Sequence, residues 1–369
     1  MNRTLKLSTA LVAVLGLASV TACGAGSASD SGNGSSTVDF AIASAVLGPK
    51  EEVATYAVGK EQGFLKEANL KVSTSNADGS TAALQALASG SADITAADLG
   101  AVLAAREKGV PVKAVGGLVQ HWPWRVAVPP GSDIKSAKDL KGSKIGVISL
   151  ASGSAMYARA YVRNAGLDPE KDVDLLPVGV GAQAASSLKD GKVDALALYT
   201  QAYTTIENNG TEYRYLSNPG MFDGIRSITF AVREDAVDKK RDLLVRYLRA
   251  SYQAMLFSAV APKAAMRDGY AAFPQILAGK KAADRIEDDT RVFKSWMDTA
   301  TPKEGKPADI RNWGAISDRE WERTVDYTKE SGQIKNDVTR EDAWDGSLLR
   351  EANDFDAKAV IAKARNAAE

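Results

Sequence analysis

Two short turns carry residue types that suit the binding of an anion. Gly79-Ser80-Thr81 and Ser152-Gly153-Ser154 each fall at the predicted start of a helix. A helix start presents unpaired backbone N–H groups and the positive end of the helix dipole, which together attract negative charge. Serine is also a common helix cap, and capping does not exclude ligand contact. We therefore expect Ser80 and Ser152 to cap their helices, and we treat all six residues as candidate ligand contacts.

Asp98 and Tyr199 are a second pair of candidates, because they occupy equivalent places in an internal repeat. The pattern Leu87-x-x-Gly90-x-Ala92-Asp93 recurs at an offset of 101 residues as Leu188-x-x-Gly191-x-Val193-Asp194. Each copy indicates a helix that ends at a glycine and is followed by a buried strand. Asp98 could accept a hydrogen bond from a ligand, and Tyr199 could stack on an apolar ligand body. A helix cap for Asp98 and packing between lobes for Tyr199 are the structural alternatives.

The elements around this repeat predict two βαβαβ units. The first contains strands 38–44, 71–75 and 92–96 with a helix over 51–68, and the second contains strands 144–148, 173–178 and 193–198 with a helix over 153–165. Alternating strands and helices indicate parallel sheets, whose ligands bind beyond the carboxyl ends of the strands. The loops expected there are 44–50, 76–81, 97–99, 149–154, 179–183 and 199–201. Gly181 lies in one of these loops and is a further candidate ligand contact.

Four segments together resemble the substrate-binding proteins of ABC importers for nitrate, sulfonates and taurine, and their thiamine-pyrimidine-precursor relatives. They are Gly63-Phe64-Leu65-Lys66-Glu67, residues 86–94, residues 136–147 and residues 188–195. The resemblance implies an α/β, two-lobed fold of the periplasmic-binding-protein type II, in which each lobe is a mainly parallel sheet flanked by helices and the ligand cleft lies between the lobes. The implied division is 38–123 for the first part of lobe 1, 124–226 for lobe 2, and 227–369 for the return to lobe 1 with its C-terminal helices. It also implies anion-binding positions at the two serine turns, a small-molecule ligand captured by lobe closure, and an ABC permease in the membrane as partner.

The N-terminal residues predict export and lipid anchoring. Residues 1–22 combine a basic start, an apolar run and small residues before Cys23, which is typical of a signal peptide. Val20-Thr21-Ala22-Cys23 resembles a lipobox, which implies cleavage before Cys23 and lipidation of its thiol. Residues 23–37 are rich in Gly, Ser and Ala and predict a flexible tether. We therefore expect a lipid-anchored monomer on the outer face of the bacterial cytoplasmic membrane.

The segment that joins the two lobes brings aromatic and charged residues toward the expected cleft. Trp122 could line the cleft, and Arg125 could grip a carboxylate or sulfonate, although a tryptophan between lobes also packs well. Glu51 and Glu52 open the first helix, where their charge disfavours a bare oxyanion site. We expect at least one of these two glutamates to be a solvated surface residue.

Composition excludes several classes of function. The chain has 46 basic and 46 acidic residues and no basic block, so a nucleic-acid partner is not expected. His121 is the only histidine and Cys23 the only cysteine, which leaves no common metal or nucleophilic site, and we predict no metal, no cofactor and no catalysis. The predicted function is capture of a small organic anion that is sulfonate, taurine or aromatic-acid-like. A thiamine-pyrimidine precursor, nitrate, a ligand-free scaffold lipoprotein and an exported enzyme are the alternatives.

Overall fold

Ten β-strands form two five-stranded sheets in the described residues of the computed structural model, which are 35–150, 152–302 and 306–368. The strands are β1 (Ser36–Ile42), β2 (Leu70–Asn76), β3 (Ile94–Asp98), β4 (Val112–Gly117), β5 (Trp124–Val128), β6 (Lys144–Val147), β7 (Asp174–Pro177), β8 (Ala195–Tyr199), β9 (Arg214–Tyr215) and β10 (Ile228–Arg233). The first sheet has the order β2-β1-β3-β10-β4 and the second has the order β7-β6-β8-β5-β9. We refer to each sheet with its helices as the first and the second lobe.

The two sheets repeat one topology, as the sequence echo predicts. In each sheet three strands are parallel, β2-β1-β3 in the first and β7-β6-β8 in the second. The fourth neighbour is antiparallel in both sheets and lies where the chain crosses between lobes, β10 in the first and β5 in the second. The sheets are therefore mixed, because each lobe accepts one strand that arrives from the other. The prediction of two similar lobes, each built on its own sheet, is confirmed.

Fifteen α-helices in the described residues flank the sheets. They are α1 (Val58–Glu61), α2 (Phe64–Glu67), α3 (Gly79–Ser89), α4 (Leu99–Glu107), α5 (Gly153–Asn164), α6 (Ala182–Lys189), α7 (Thr200–Asn208), α8 (Ala236–Lys239), α9 (Arg241–Val260), α10 (Pro262–Ala272), α11 (Ala282–Ala300), α12 (Asp318–Glu330), α13 (Arg340–Ala343), α14 (Leu349–Ala352) and α15 (Ala357–Ala368). A π-helical turn spans Val53–Ala57, and short 3-10 helices span Ala137–Leu140, Gly220–Phe222, Pro274–Leu277 and Pro307–Asp309.

The helix predicted over residues 51–68 is interrupted. Gly63 has a φ of 84°, a left-handed conformation that ends one helix before α2 begins. The π-helical turn Val53–Ala57 is wholly buried and precedes α1. The start of this first helical segment therefore packs against the core. Lys50 to Glu52, which precede the π-helical turn, lie toward the interior.

Each lobe has its own apolar core. The first sheet packs against the long C-terminal helices, where Phe230 contacts both Tyr247 and Tyr252 through tilted or edge-on rings. The core of the second lobe contains a cluster of rings that includes Tyr157, Tyr161 and Phe222. Burial of this many large side chains, at roughly 1.5–3 kcal/mol each, is the main source of stability of both lobes.

The N-terminal predictions fall largely outside the described residues. Cys23, the signal peptide 1–22 and most of the tether 23–37 lie there. β1 begins at Ser36, two residues before the predicted start of the folded part, because it pairs with β2 from its first residue. Among the described residues no helix is both long and apolar enough to cross a membrane. The lobe boundaries given above remain predictions.

Candidate ligand-binding cleft

A cleft lies between the two lobes, at the carboxyl ends of the parallel strands of both sheets. It contains two cavities, which we name after the repeat residue that lines each: the Tyr199 cavity of about 620 Å³ and the Asp98 cavity of about 310 Å³. Trp124, Ser227 and Ile228 line both. Trp124 pairs with Tyr199 across β5 and β8, and Ile228 pairs with Asp98 across β10 and β3. The first residue of each crossing strand therefore stands beside the repeat position of its own lobe.

The Tyr199 cavity is mainly apolar and receives side chains from both lobes. The apolar residues that line it are Val46, Leu47, Pro49, Val119, Pro123, Trp124, Val180, Ala202, Ile228, Val292 and Trp296. The rings of Trp124 and Tyr199 are nearly perpendicular, at 85°, with centroids 5.7 Å apart. Val46 from one lobe is 77% exposed and Val180 from the other is 42% exposed, so both stand at the rim. The cavity thus offers an aromatic corner inside an apolar wall.

A buried cluster of three charged side chains forms the polar part of this wall. The Lys50 Nζ atom lies 3.0 Å from a carboxylate oxygen of Glu51 and 2.8 Å from one of Glu52. The other Glu52 oxygen accepts a hydrogen bond of 2.8 Å from the Gly48 backbone N–H. Glu51 is 8% exposed and Glu52 is fully buried. The expectation that one of these glutamates is a solvated surface residue is therefore wrong, because Lys50 supplies a counter-charge that permits burial of both.

Burial dominates the electrostatics of this cluster. It raises the pKa of Glu52 to about 7, despite the opposing effects of Lys50 and of the Gly48 N–H. Burial alone would lower the pKa of Lys50, but the two adjacent carboxylates outweigh it and the pKa of this ammonium group is raised. Burial also raises the pKa of the Tyr199 phenol, on which the charges of Lys50 and Glu51 act from across the cleft. A lysine–glutamate pair of the first lobe and a tyrosine of the second thus meet at the Tyr199 cavity.

The polar groups of the Asp98 cavity are occupied by the protein itself. Asp98 Oδ1 accepts a hydrogen bond from the Gly100 N–H at 3.0 Å, which caps α4, and Oδ2 accepts one from the Ser227 hydroxyl at 3.0 Å. The backbone N–H of Asp98 donates to the Ser80 hydroxyl at 3.0 Å. Burial raises the pKa of the Asp98 carboxyl, against the effect of these hydrogen bonds. The structural alternative given for Asp98, a helix cap, is thus present in the structure.

Aromatic packing and backbone contacts hold the two lobes together beside the cavities. Trp122 packs edge-on against Tyr327 of α12 at 4.8 Å and stacks on Phe222 at 5.6 Å. Farther out, Arg163 of α5 donates to the Glu330 carbonyl at 2.9 Å. A second bridge joins Asn208 of α7 to Asp288 of α11, where the Asn208 amide donates to the Asp288 carbonyl at 3.2 Å. The described conformation is therefore one in which direct hydrogen bonds link helices of the two lobes.

Comparisons with known proteins agree with this architecture. A sequence profile described as NMT1/THI5 like matches residues 50–265, which is more than half of the chain. The chain belongs to the NMT1/THI5-like family. A curated relative, the riboflavin-binding protein RibY of Chloroflexus aurantiacus, is 23% identical over 249 residues, which are 67% of this chain and 68% of RibY.

Two solved structures illustrate the range of proteins with this fold. The periplasmic aliphatic sulphonate-binding protein SsuA of Escherichia coli superposes with a TM-score of 0.56 at 18% identity and covers 79% of this chain and 85% of its own. A mutant of DszB in complex with biphenyl-2-sulfinic acid superposes with a TM-score of 0.55 at 15% identity and covers 86% of this chain and 99% of its own. At these identities the likeness establishes the fold alone, and the predicted two-lobed fold of periplasmic binding proteins is confirmed.

Only some of the residues that we predicted to contact a ligand line the two cavities. Gly181 and Tyr199 line the Tyr199 cavity, and Asp98, Trp122 and Gly153 line the Asp98 cavity. The remaining candidates, which are Gly79, Ser80, Thr81, Ser152 and Ser154, line neither. Their contact with a ligand remains a prediction.

The serine turns also differ from expectation in their capping. Ser80 lies inside α3, whose N-cap residue is Asp78, and Ser152 is the N-cap residue of α5 but makes no side-chain cap hydrogen bond. The Ser80 hydroxyl accepts from the Asp98 N–H instead. The Ser152 hydroxyl donates instead to the Ser149 carbonyl at 2.6 Å, and Ser154 is buried with its hydroxyl donating to the Ala197 carbonyl at 2.6 Å. The predicted capping is wrong because each hydroxyl finds a closer partner in the loop or strand beside it.

Sequence reasoning missed three contributors to the Tyr199 cavity, Lys50, Val292 and Trp296, and it placed Arg125 in the cleft. Lys50 was recognised only as the end of a loop, although a lysine before two glutamates at a strand end is a readable signal. Val292 and Trp296 come from α11, far along the chain, and no local pattern links them to the cleft. Arg125 lines neither cleft cavity but a separate cavity of about 720 Å³ beside the crossing segments, with its guanidinium 6.0 Å from the Tyr215 ring.

Proposed function

We propose that this chain is an extracytoplasmic solute-binding lipoprotein that captures a small organic molecule between its lobes and delivers it to an ABC permease. The observation that carries the proposal is the Tyr199 cavity, which is built from both lobes and is lined by aromatic and aliphatic side chains with a few polar groups. Family membership and the binding-protein fold support it.

Lobe closure is the proposed mechanism of capture. Lys50 and Glu51 approach the cavity from the first lobe, whereas Tyr199 and Gly181 approach it from the second. A solute that contacts both sets stabilises the closed arrangement, because each set alone would offer only half of the contacts. The bridges Arg163–Glu330 and Asn208–Asp288 lie where closure would form them. The closed form would then be recognised by the permease.

The class of solute has two candidates. A small organic anion, of the sulfonate, taurine or aromatic-acid type, is the expectation from the sequence, and SsuA is a sulphonate-binding protein of this fold. A heterocycle related to thiamine-pyrimidine precursors is the second candidate. It is favoured by Glu51 and Glu52, since two carboxylates beside one lysine leave no excess positive charge in the cavity wall.

Binding without catalysis is part of the proposal. DszB is described as a desulfurization enzyme and shares the fold, so the fold alone permits both roles. The single histidine, His121, has its Nε2 atom 2.9 Å from the Thr301 carbonyl oxygen, outside both cavities. Anchoring through lipidated Cys23 and a monomeric state complete the proposal.

A thermal-shift panel tests the proposal. The full chain in detergent is heated with nitrate, taurine, alkanesulfonates, aromatic carboxylates or aminopyrimidines, because a solute that binds only the folded state raises the melting temperature. We expect a saturable shift with one class. Tyr199→Ala should abolish that shift and leave a cooperative melting transition at a lower temperature, because the lost ring packs against Trp124. Tyr215→Ala, at an exposed tyrosine outside the cavity, is the matched control. A shift that survives Tyr199→Ala would place the solute elsewhere.

A further inference from the structure

Some polar groups of the Tyr199 cavity already make hydrogen bonds within the protein, and others do not. Four hydroxyls that line it donate their proton to nearby oxygen atoms: Ser44 to Val46, Thr205 to Gln201, Thr299 to Trp296 and Ser227 to Asp98, at 2.6–3.0 Å. These groups therefore have little left to offer as donors. The polar specificity of the cavity must come from the other polar side chains in its wall.

Four side chains retain hydrogen-bonding capacity. The Gln201 amide oxygen pairs with the Thr200 hydroxyl at 3.2 Å, and its amide nitrogen has no partner among the described residues. The Lys50 ammonium has three N–H donors, of which the described contacts use two. One Glu51 oxygen accepts from Lys50, and the second Glu51 oxygen has no partner among the described residues. The Tyr199 hydroxyl likewise has no hydrogen-bond partner within the described part of the chain. The cavity thus presents a carboxylate acceptor, an ammonium donor, an amide donor and a phenol that can serve as donor or acceptor.

The charge of this constellation disfavours ionic solutes of both signs. An anion placed against Lys50 would also lie beside the carboxylates of Glu51 and Glu52. A cation placed against Glu51 would lie beside the Lys50 ammonium, at a site with little water to screen the repulsion. An uncharged group with a hydrogen-bond donor next to an acceptor pairs with both Glu51 and Lys50, and neither charge repels it.

The apolar walls indicate the shape of the solute. Trp124 and Tyr199 meet at 85°, so a flat ring that stacks on one places its edge toward the other. Val119 and Val180 complete the wall from the two lobes. A volume of about 620 Å³ exceeds that of a simple anion such as nitrate and is in the usual range for sites that bind drug-sized molecules.

We infer that the solute captured here, given the solute-binding function proposed above, is an uncharged planar heterocycle with an N–H beside a carbonyl, as in a lactam or imide. Glu51 accepts from the ring N–H, Lys50 and Tyr199 donate to the carbonyl oxygen, and the ring stacks in the corner of Trp124 and Tyr199. Lys50, Glu51 and Tyr199 are thereby assigned as the residues that determine specificity.

Four tricyclic probes separate the possible chemistries. Lumichrome is planar and uncharged and carries two such edges, whereas 1,3-dimethyllumichrome has the same rings without the N–H donors. Proflavine supplies a planar cation, and anthracene-2-sulfonate a planar anion. Their dissociation constants are measured with the full chain in detergent, from quenching of probe fluorescence. We expect lumichrome to bind at least about tenfold more tightly than each of the other three, which corresponds to one lost charge-assisted hydrogen bond.

Two variants connect the preference to the assigned residues. Glu51→Gln replaces one carboxylate oxygen by an NH₂ group, and we expect it to weaken lumichrome about tenfold while the dimethyl analogue changes less than twofold. Glu61→Gln is the matched control, since Glu61 pairs with Lys60 at 3.0 Å, farther along the same helical segment and outside the cavity. If Glu51→Gln fails to fold, Tyr199→Phe tests the same edge by removing one hydroxyl.

The outcomes distinguish the inference from the function on which it rests. Tighter binding of anthracene-2-sulfonate or of proflavine, or equal binding of the two lumichromes, would overturn the inference and leave a solute-binding protein. An absence of saturable binding by these probes and by every solute of the thermal-shift panel, in protein with an intact melting transition, would overturn both.

Discussion

The Tyr199 and Asp98 cavities stand at equivalent positions in the two lobes, yet their polar groups are used in different ways. Both oxygens of Asp98 and the Ser80 hydroxyl are bound within the protein, so these groups hold α4 and the crossing strand β10 in place. Tyr199, Lys50 and Glu51 retain hydrogen-bonding capacity at the cavity surface. Under the proposed function, the difference teaches that equal positions in a repeated topology serve stability in one lobe and recognition in the other.

The largest expected effect on the free energy of unfolding comes from the buried charges beside the Tyr199 cavity. Because the pKa of Glu52 is raised to about 7 in the folded protein, the native state keeps a proton that the unfolded chain loses near pH 4.5. Stability should therefore fall as pH rises from about 4.5 to 7. In Glu52→Gln this contribution is absent, so the free energy of unfolding of the parent relative to the variant should fall by between about 2 and 3 kcal/mol from pH 5 to pH 8.

Urea unfolding at several pH values measures this difference, with Glu61→Gln as a control whose difference from the parent should stay flat. A constant difference between the parent and Glu52→Gln would show that the cluster carries no buried titrating charge. The contrast between the two cavities, in which the buried charges beside the Tyr199 cavity cost stability and Asp98 contributes stability, would then fail.

The next effect comes from the Asp98 cavity. Asp98→Ala removes the cap of α4 and leaves the Ser227 hydroxyl without its acceptor, while it also relieves the cost of burying a carboxylate. We expect a loss of between about 1 and 2 kcal/mol in the free energy of unfolding, measured by urea denaturation. Unchanged stability would mean that Asp98 is not held for structural reasons.

A smaller effect is expected at Ser80. Ser80→Ala leaves the backbone N–H of Asp98 without its hydroxyl acceptor, and we expect a loss of about 1 kcal/mol in the free energy of unfolding. Solute affinity should stay within twofold of the parent, because Ser80 lines neither cavity. A strong loss of affinity with full stability would instead support the original prediction of ligand contact at this turn.

The smallest effect on stability is expected at Tyr199. Tyr199→Phe removes a hydroxyl that has no partner within the described chain and keeps the ring packed against Trp124. The free energy of unfolding should change by less than about 0.5 kcal/mol. A loss as large as that of Asp98→Ala would reveal a structural role for the hydroxyl and remove the contrast between the two cavities.

The fold was readable from the sequence because it rests on local periodicity and on an internal repeat. The strands flanking Gly90 and Gly191 lie within two residues of their predicted ends, and the parallel triplets follow from the alternation of strands and helices. The antiparallel insertion of β5 and β10 was not foreseen, since it depends on how the chain crosses between lobes. Longer helices such as α12 carry an equally local signal, an apolar stripe with helical periodicity.

The cleft was less predictable, because side-chain partners decide which residues are available to a ligand. Ser80 and Ser152 have the residue type of caps or ligand contacts, yet the Ser80 hydroxyl accepts from the end of β3 and the Ser152 hydroxyl donates within its own loop. Glu51 and Glu52 looked like solvated charges until their pairing with Lys50 was visible. Trp296 reaches the cavity from α11, a long-range contact that composition and spacing do not encode.

The most direct test of the account compares solute affinity in two nearly isosteric variants, Tyr199→Phe and Asp98→Asn. Calorimetric titration is performed with the panel compound that raises the melting temperature most, on the full chain in detergent. The account predicts that Tyr199→Phe weakens binding about tenfold and that Asp98→Asn leaves it within twofold of the parent. The reverse pattern would contradict the account, because it would make the Asp98 cavity the recognition site and the Tyr199 cavity a packing feature.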